Sequence, residues 1–109
     1  MSEADAEGRP TEFTIVVPPE LGGGAYANFL NLWHTAYEFT LDFAATQPPE
    51  VEDPDDPRSP QRIPCRVVAR VRIPATLVFD VIRAINDEMT LYEQSFGEIR
   101  RPHELEGEE

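Results

Sequence analysis

The fold is decided by Tyr37-Glu-Phe-Thr-Leu-Asp-Phe43 and Cys65-Arg-Val-Val-Ala-Arg-Val-Arg-Ile73, two stretches in which apolar and polar residues alternate. A period of two is typical of a β-strand with one buried face. The residues predicted to face the core of the protein are Phe39, Leu41, Phe43, Val67, Ala69 and Val71.

The opposite faces of these two strands carry charges of opposite sign. The first strand has the acidic Glu38 and Asp42, and the second has the arginines Arg66, Arg70 and Arg72. Acid set against arginine fixes strand register and contributes up to about 1 kcal/mol per exposed pair. We therefore predict that the two strands pair with each other, either within one chain or between two copies of it.

Two further strands are predicted upstream of this pair. Glu12-Phe-Thr-Ile-Val-Val17 is a short candidate strand, and Tyr26-Ala-Asn-Phe-Leu-Asn-Leu-Trp33 is a second one that is apolar on both faces. Apolar residues on both faces are typical of a strand between two layers or at an interface. His34-Thr-Ala-Tyr37 is short enough to be a hairpin turn that leads into the next strand.

After Ile73-Pro74 the period changes from two to about 3.6, which predicts a helix of roughly 22 residues. The apolar residues that share one face of this helix are Val78, Val81, Ile82, Ile85, Met89, Tyr92 and Phe96. Gly97 is the expected stop after the last turn. The predicted fold class is α+β: a small antiparallel β-meander of three to four strands packed against one long C-terminal helix.

Charge and proline content divide the chain into segments. The 109 residues include 21 acidic and 9 basic residues, which gives a net charge of -12. Acidic composition predicts disordered ends at residues 1–10 and 98–109, and density of proline and acid predicts a disordered insertion at about 46–63. Residues 11–97 are predicted to form a single domain.

Composition also limits partners and location. The negative charge argues against unspecific binding to nucleic acid or to anionic membranes. The start lacks a signal-peptide pattern, no apolar run spans a bilayer, and a single cysteine fits a reducing compartment. We expect a cytoplasmic protein with no membrane partner.

The predicted helix has more apolar surface than a small sheet covers, since Leu91 lies opposite its apolar face and Phe79 at the margin. A domain of about 70 foldable residues without a disulfide is marginally stable. We therefore expect a homodimer or a higher homo-oligomer with a candidate interaction surface at Trp33, Phe79 and Leu91. The predicted function is a non-enzymatic protein-interaction module, which binds further copies or another protein, or a subunit of an oligomeric assembly.

Residues for chemistry are few and scattered. The two histidines and one cysteine are widely separated, so we predict no metal, no cofactor and no catalytic residue, and we expect Cys65 to be a buried core cysteine. The alternative function is a ligand- or nucleic-acid-binding domain, or an uncharacterised enzyme, that uses the arginine-bearing strand face and a histidine. Its residues would be His34, Arg66, Arg70 and Arg72.

Several short motifs in order resemble a family of small bacterial proteins catalogued as domain of unknown function 3467. The motifs are Tyr26-Ala-Asn28, Glu38-Phe39-x-Leu41-Asp42-Phe43, an arginine-bearing strand that ends at a proline-initiated helix, and Tyr92-Glu93-x-x-Phe96-Gly97-Glu98-Ile99. The resemblance covers roughly residues 25–99. The departures from the family pattern are the acidic tails, the proline-rich insertion after Phe43, and Ile73 before Pro74. The resemblance implies a bacterial or phage cytoplasmic protein and implies no reaction or catalytic residue.

Overall fold

The computed structural model describes residues 8–101 of the chain. The predicted disordered ends therefore lie largely outside the described residues. Within that part, the elements in chain order are β1 (Phe29–His34), β2 (Glu38–Thr46), β3 (Glu50–Val51), β4 (Gln61–Arg62), β5 (Cys65–Pro74) and α1 (Val78–Phe96). Short 3-10 turns occupy Pro19–Leu21 and Ala75–Leu77. No helix among these residues is long and apolar enough to cross a membrane.

The main sheet is an antiparallel meander in the order β1-β2-β5. Thr35 begins the turn between β1 and β2, where its backbone N–H donates to the carbonyl of Glu38 at 2.9 Å. The Thr35 hydroxyl oxygen accepts from the backbone N–H groups of Tyr37 and Glu38 at 3.2 and 3.3 Å. The predicted hairpin turn is confirmed, and so is the α+β fold class.

The β2–β5 pair contains a β-bulge that changes which residues share a face. Phe43 lies opposite Ala69 and Ala44 opposite Val67, so Val68 is the extra residue. Beyond the bulge Arg66 lies opposite Ala45, on the other face of the sheet from Arg70 and Arg72. The prediction that the three arginines share one face is therefore wrong, because one inserted residue reverses the side on which the following residues project.

Residues 12–17, which were predicted to form the first strand, belong to no strand. Phe13 and Ile15 are 94% and 89% exposed. A strand needs a partner edge, and this segment pairs with neither edge of its own chain's sheet. The prediction identified a sequence suited to a strand, but not the partner that it requires.

Part of the proline-rich insertion is ordered into a hairpin, in which β3 pairs antiparallel with β4. The hairpin continues the β2–β5 pair, because Gln47 donates its backbone N–H to Pro64 at 2.8 Å. At the tip, the hydroxyl of Ser59 accepts from the backbone N–H of Asp53 at 2.7 Å. The composition of this segment indicates disorder, so it does not predict these local hydrogen bonds.

Helix α1 has 19 residues and begins at Val78, after the 3-10 turn. Pro74 is the last residue of β5 and comes directly before that turn. The helical segment therefore begins with the 3-10 turn after the proline, and the α-helix itself begins later. Gly97 has φ 93° and donates its N–H to the carbonyl of Glu93, which confirms the predicted stop. Val78 and Val81 are half-buried, and the remaining residues of α1 are exposed.

The most buried side chains lie on the face of β2 predicted to be exposed. Thr40 is 1% exposed, and Asp42 and Ala44 are each 2% exposed, whereas Phe39, Leu41 and Phe43 are only half-buried. The central strand places these short side chains between larger neighbours on β1 and β5: Thr40, for example, lies between Trp33 and Arg72. Among the described residues, only the start of α1 covers the apolar residues on the other face of the sheet.

The chain is extended and buries little apolar surface. Its accessible surface is 10067 Å², against about 6,100 Å² for a compact monomer of this mass. Its radius of gyration is 20.7 Å, where roughly 13 Å is usual for a compact domain of about 100 residues. Ala44 is the one buried hydrophobic residue among those described.

Candidate interaction surfaces

The sheet has two faces of different character, which follow from the register of its strands. The helix-side face carries mainly apolar residues: Leu30, Leu32, His34, Phe39, Leu41, Val71 and Ile73. The arginine-side face carries Asn31, Trp33, Thr40, Asp42, Arg70 and Arg72. Both sets come from the same three strands, because successive residues of a strand point to opposite sides.

On the arginine-side face, Asp42 and Arg70 form a two-pronged ion pair directly across β2 and β5. Arg70 donates from Nε to Asp42 Oδ1 at 2.6 Å and from Nη2 to Asp42 Oδ2 at 3.0 Å. The Asp42 side chain is 3% exposed and the Arg70 side chain 51% exposed. The predicted pairing of acid with arginine is confirmed at this rung. It does not extend to Glu38, which lies opposite Pro74.

Side chains from both neighbouring strands act on the Asp42 carboxylate. The guanidinium of Arg70 lowers the pKa of Asp42 most, burial opposes this change, and hydrogen bonds from Asn31 and Trp33 lower the pKa further. The same pair raises the pKa of Arg70. Asp42 thus stays ionised and ties the side chains of both outer strands to the central one.

The residues of the alternative ligand-binding hypothesis are not brought together. His34 lies on the helix-side face, where its ring stacks on Phe39 with centroids 5.3 Å apart. Arg70 and Arg72 lie on the opposite face, and Arg66 is separated from them by the bulge. Neither of the two apolar depressions beside α1 is lined by His34, Arg70 or Asp42.

Cys65 is exposed, so the prediction of a buried core cysteine is wrong. It is the first residue of β5 and lies opposite Thr46, the last residue of β2. No second layer covers this end of the sheet among the described residues. The Cys65 thiol is 3.5 Å from the carbonyl oxygen of Ile63.

An apolar cavity of about 240 Å³ lies between the helix-side face and the first half of α1. It is lined by Leu30, Leu32, Phe39, Leu41, Ile73, Val78, Val81, Ile82 and Ile85. A cavity of this size between a sheet and its covering helix shows that the two layers are incompletely packed, since native cores have few voids larger than a water molecule.

The second half of α1 continues the apolar stripe without a covering layer. Met89, Tyr92 and Phe96 are 40%, 49% and 76% exposed. The chain after Gly97 turns back far enough for Ile99 to join the stripe, and an open depression of about 490 Å³ forms there. We call this set of residues the helix stripe: Ile82, Ile85, Met89, Tyr92, Phe96 and Ile99.

The predicted interaction residues are all exposed but lie on separate surfaces. Trp33 is 43% exposed on the arginine-side face. Phe79 and Leu91 are 80% and 56% exposed on α1, on the far side of the sheet from Trp33. Sequence reasoning assigned the helix stripe to the core and so missed it as a surface. Apolar residues occur on two sides of α1, and this distribution indicates that the helix has more apolar surface than the sheet covers.

Asn31 is a second residue that the sequence reasoning missed. It is a polar residue in the middle of an otherwise apolar strand, and it lies opposite Asp42. Counting outward from the predicted turn at His34–Tyr37 would set Asn31 against Thr40, whereas the observed register pairs His34 with Phe39 and so Asn31 with Asp42. The contact therefore depends on the exact register of the hairpin, which the sequence reasoning did not provide.

Comparison with known proteins adds the family of the chain. The model of a family described as protein of unknown function (DUF3467) matches residues 1–101. The chain belongs to this family. The resemblance noted over residues 25–99 is thereby confirmed and extended to the N-terminal residues. No curated protein and no solved structure matches the chain. The function of this DUF3467 member therefore has to be argued from its own surfaces.

Proposed function

We propose that this protein is a non-enzymatic subunit of a homo-oligomer, in which the helix stripe of one copy packs against the helix stripe of another. The observation that carries the proposal is the exposure of that stripe along the second half of α1. Its residues recur on one side of the helix at the three- and four-residue spacing typical of a packed face.

An isolated chain of this shape has too little core to be stable. Most large hydrophobic residues on β1, β5 and α1 are 40–80% exposed, and contiguous apolar patches of this kind on soluble proteins mark interaction sites. Burial of apolar area contributes about 25 cal/mol per Å². The stripe therefore offers the stabilisation that the three-stranded sheet lacks.

A second copy of the chain is the occupant we propose for the stripe. Most soluble oligomers are homo-oligomers with closed symmetry, and a two-fold axis pairs one patch with itself. The centre of the stripe is apolar and can meet an identical stripe, and Glu88 lines the depression beside it. Asp80 and Arg83 lie toward the other side of the helix and form an ion pair with each other.

The absence of enzymatic activity is part of the proposal and is supported by how the polar residues are used. Asp42 and Arg70 neutralise each other, and Thr35 and Asn28 hold backbone turns and strand ends. His34 packs on an aromatic ring. No group of three or more potential metal ligands occurs within residues 8–101.

The proposal is tested by the mass of a variant with a charge in the stripe. Met89→Glu places a carboxylate at the centre of the predicted contact, where its burial without a partner costs several kcal/mol. We expect light scattering to give a smaller mass for this variant than for the wild type at the same micromolar concentration, down to the 12.3 kDa chain if the stripe is the sole contact.

The matched control is Gln94→Glu, which adds the same charge to the same helix on the side away from the stripe. It should retain the wild-type mass. The proposal is contradicted if Met89→Glu also retains the wild-type mass, or if the wild type is itself a monomer. Circular dichroism of both variants checks that the sheet and helix are retained.

A further inference from the structure

Residues 12–17 form a segment suited to a strand that has no sheet. Phe13, Ile15 and Val17 alternate with Glu12, Thr14 and Val16, and Pro18 follows. Phe13, Ile15 and Val16 are 94%, 89% and 79% exposed. No backbone hydrogen bond joins this segment to the rest of the described chain. We call residues 12–17 the arm.

The sheet has an open edge on β1. All six residues of that strand are exposed, and none of them is an acid, an arginine or a proline. Natural sheets protect their edges with charges, prolines, bulges or a covering segment. β1 has none of these devices within the described residues, and its outer backbone groups are left for another strand.

The opposite edge, on β5, is protected. It carries the bulge at Val68 and the charges of Arg66, Arg70 and Arg72. It also lies between Pro64 and Pro74, which limit the run of backbone donors. Because the β5 edge is protected and the β1 edge is not, β1 is the edge at which we expect another strand to pair.

We propose that the arm of one copy pairs as a fourth strand with β1 of a second copy. This inference rests on the oligomer proposed above and identifies a second contact within it. Each chain then supplies one unpaired strand and one open edge, so two copies satisfy each other. Pairing of β1 with β1 of a second copy would leave Phe13 and Ile15 without an apolar neighbour, whereas arm exchange sets them beside the apolar residues of β1.

The side chains of the arm suit this position. With Phe13, Ile15 and Val17 on the helix-side face, they extend the apolar surface of Leu30 and Leu32. Thr14 and Val16 then project beside Asn31 and Trp33. Glu12 is the arm's one charge, and β1 carries no acidic residue that would repel it.

In the described chain the linker leaves the arm unpaired with its own β1. Pro18 is extended, with φ -56° and ψ 142°, and the 3-10 turn at Pro19–Leu21 follows. At the other end, Asn28 is fixed by side-chain hydrogen bonds with Thr46 at 3.0 and 2.9 Å. Neither segment closes a hairpin that would return the arm to β1 of the same chain.

The test is hydrogen exchange of the full-length protein across a dilution series, with Ile15→Pro and Val16→Pro compared against Ile15→Val. Successive amides of a strand point to opposite sides, so one of the two proline variants must remove a hydrogen bond to the acceptor strand. We expect amides in the arm and on β1 to exchange at least about tenfold more slowly in the oligomer than after dilution. At least one proline variant should lose that protection, and Ile15→Val should keep it.

Four results would overturn the inference. The first is an arm that exchanges at the unprotected rate in an oligomeric wild type, which leaves the proposed function standing. The second is arm protection that persists in a monomer on dilution, which indicates pairing within one chain. The third is protection of the arm and β1 that both proline variants retain. A wild type that is monomeric at every concentration contradicts both proposals.

Discussion

Asp42 shows how one small charged residue organises the centre of the sheet. It lies between Asn31 and Arg70 in register and accepts hydrogen bonds from both neighbouring strands. Because its side chain is 3% exposed, its charge is offset by Arg70 rather than by water. The Asp42–Arg70 pair therefore links β2 to β5, and it occupies one of the three arginines that the ligand-binding hypothesis would use.

The depressed pKa of Asp42 predicts an acid-dependent loss of stability. The unfolded chain binds a proton at the ordinary carboxyl pKa of about 3.9, and the folded chain binds it only at lower pH. The pair's contribution is therefore complete above that ordinary value and is lost as pH falls through the folded value. We expect Asp42→Asn to lower the thermal unfolding midpoint at pH 7 and to differ less from the wild type below about pH 4.

Asp80→Asn is the matched control for this experiment, measured at the same protein concentration. Asp80 pairs with Arg83 one turn away on the exposed surface of α1, with side chains that are 57% and 71% exposed. Exposed pairs contribute little, so its midpoint should change less than that of Asp42→Asn. Equal midpoints for the wild type and Asp42→Asn at pH 7 would contradict a structural role for the Asp42 pair.

At the scale of elements, periodicity predicted most of the fold. The alternation around Phe39 and Val71 gave β2 and β5, and the 3.6-residue period with Gly97 gave α1 and its end. Features set by a single residue or by a partner were missed. In the sequence, apolar and polar residues alternate on both sides of the bulge at Val68. Only the adjacent apolar pair Val67-Val68 indicates that a residue is inserted there.

Other misses have the same physical origin. Exposure of Cys65 and burial of Thr40 depend on which layer covers which face, and local pattern does not carry that information. The arm has a strand sequence, yet strand formation needs a partner edge. On the candidate surfaces, the pairing of acid with arginine was predictable from the sign and spacing of the charges. The exposure of the helix stripe was not predictable in this way, because it depends on how little of α1 the sheet covers.

The β3–β4 hairpin is predicted to be dispensable for folding and assembly. Its strands pair with each other, and its tip is held by local contacts such as the ion pair between Arg62 and Glu52 at 3.2 Å. Replacement of residues 51–61 by Asn-Gly, a two-residue hairpin turn, should preserve the oligomer mass and leave the unfolding midpoint within a few degrees of the wild type. A replacement of equal length in glycine and serine is the control. A changed mass in the Asn-Gly variant would show that the hairpin takes part in assembly.

At the scale of the whole molecule, the chain is extended and leaves much of its apolar surface uncovered. It extends over 73 Å with a thickness of 33 Å, and its apolar surfaces lie on the helix stripe, on β1 and on the arm. The proposed homo-oligomer would cover all three surfaces with one kind of partner, a second copy of the chain. The net charge of -12 keeps such chains soluble and disfavours unspecific aggregation.

Sedimentation equilibrium of the wild-type protein in a micromolar dilution series tests the central claim most directly. The account predicts a mass of twice the 12.3 kDa chain or a higher whole multiple, with dissociation accompanied by loss of cooperative unfolding. A stable 12.3 kDa monomer that unfolds cooperatively throughout the series would contradict it.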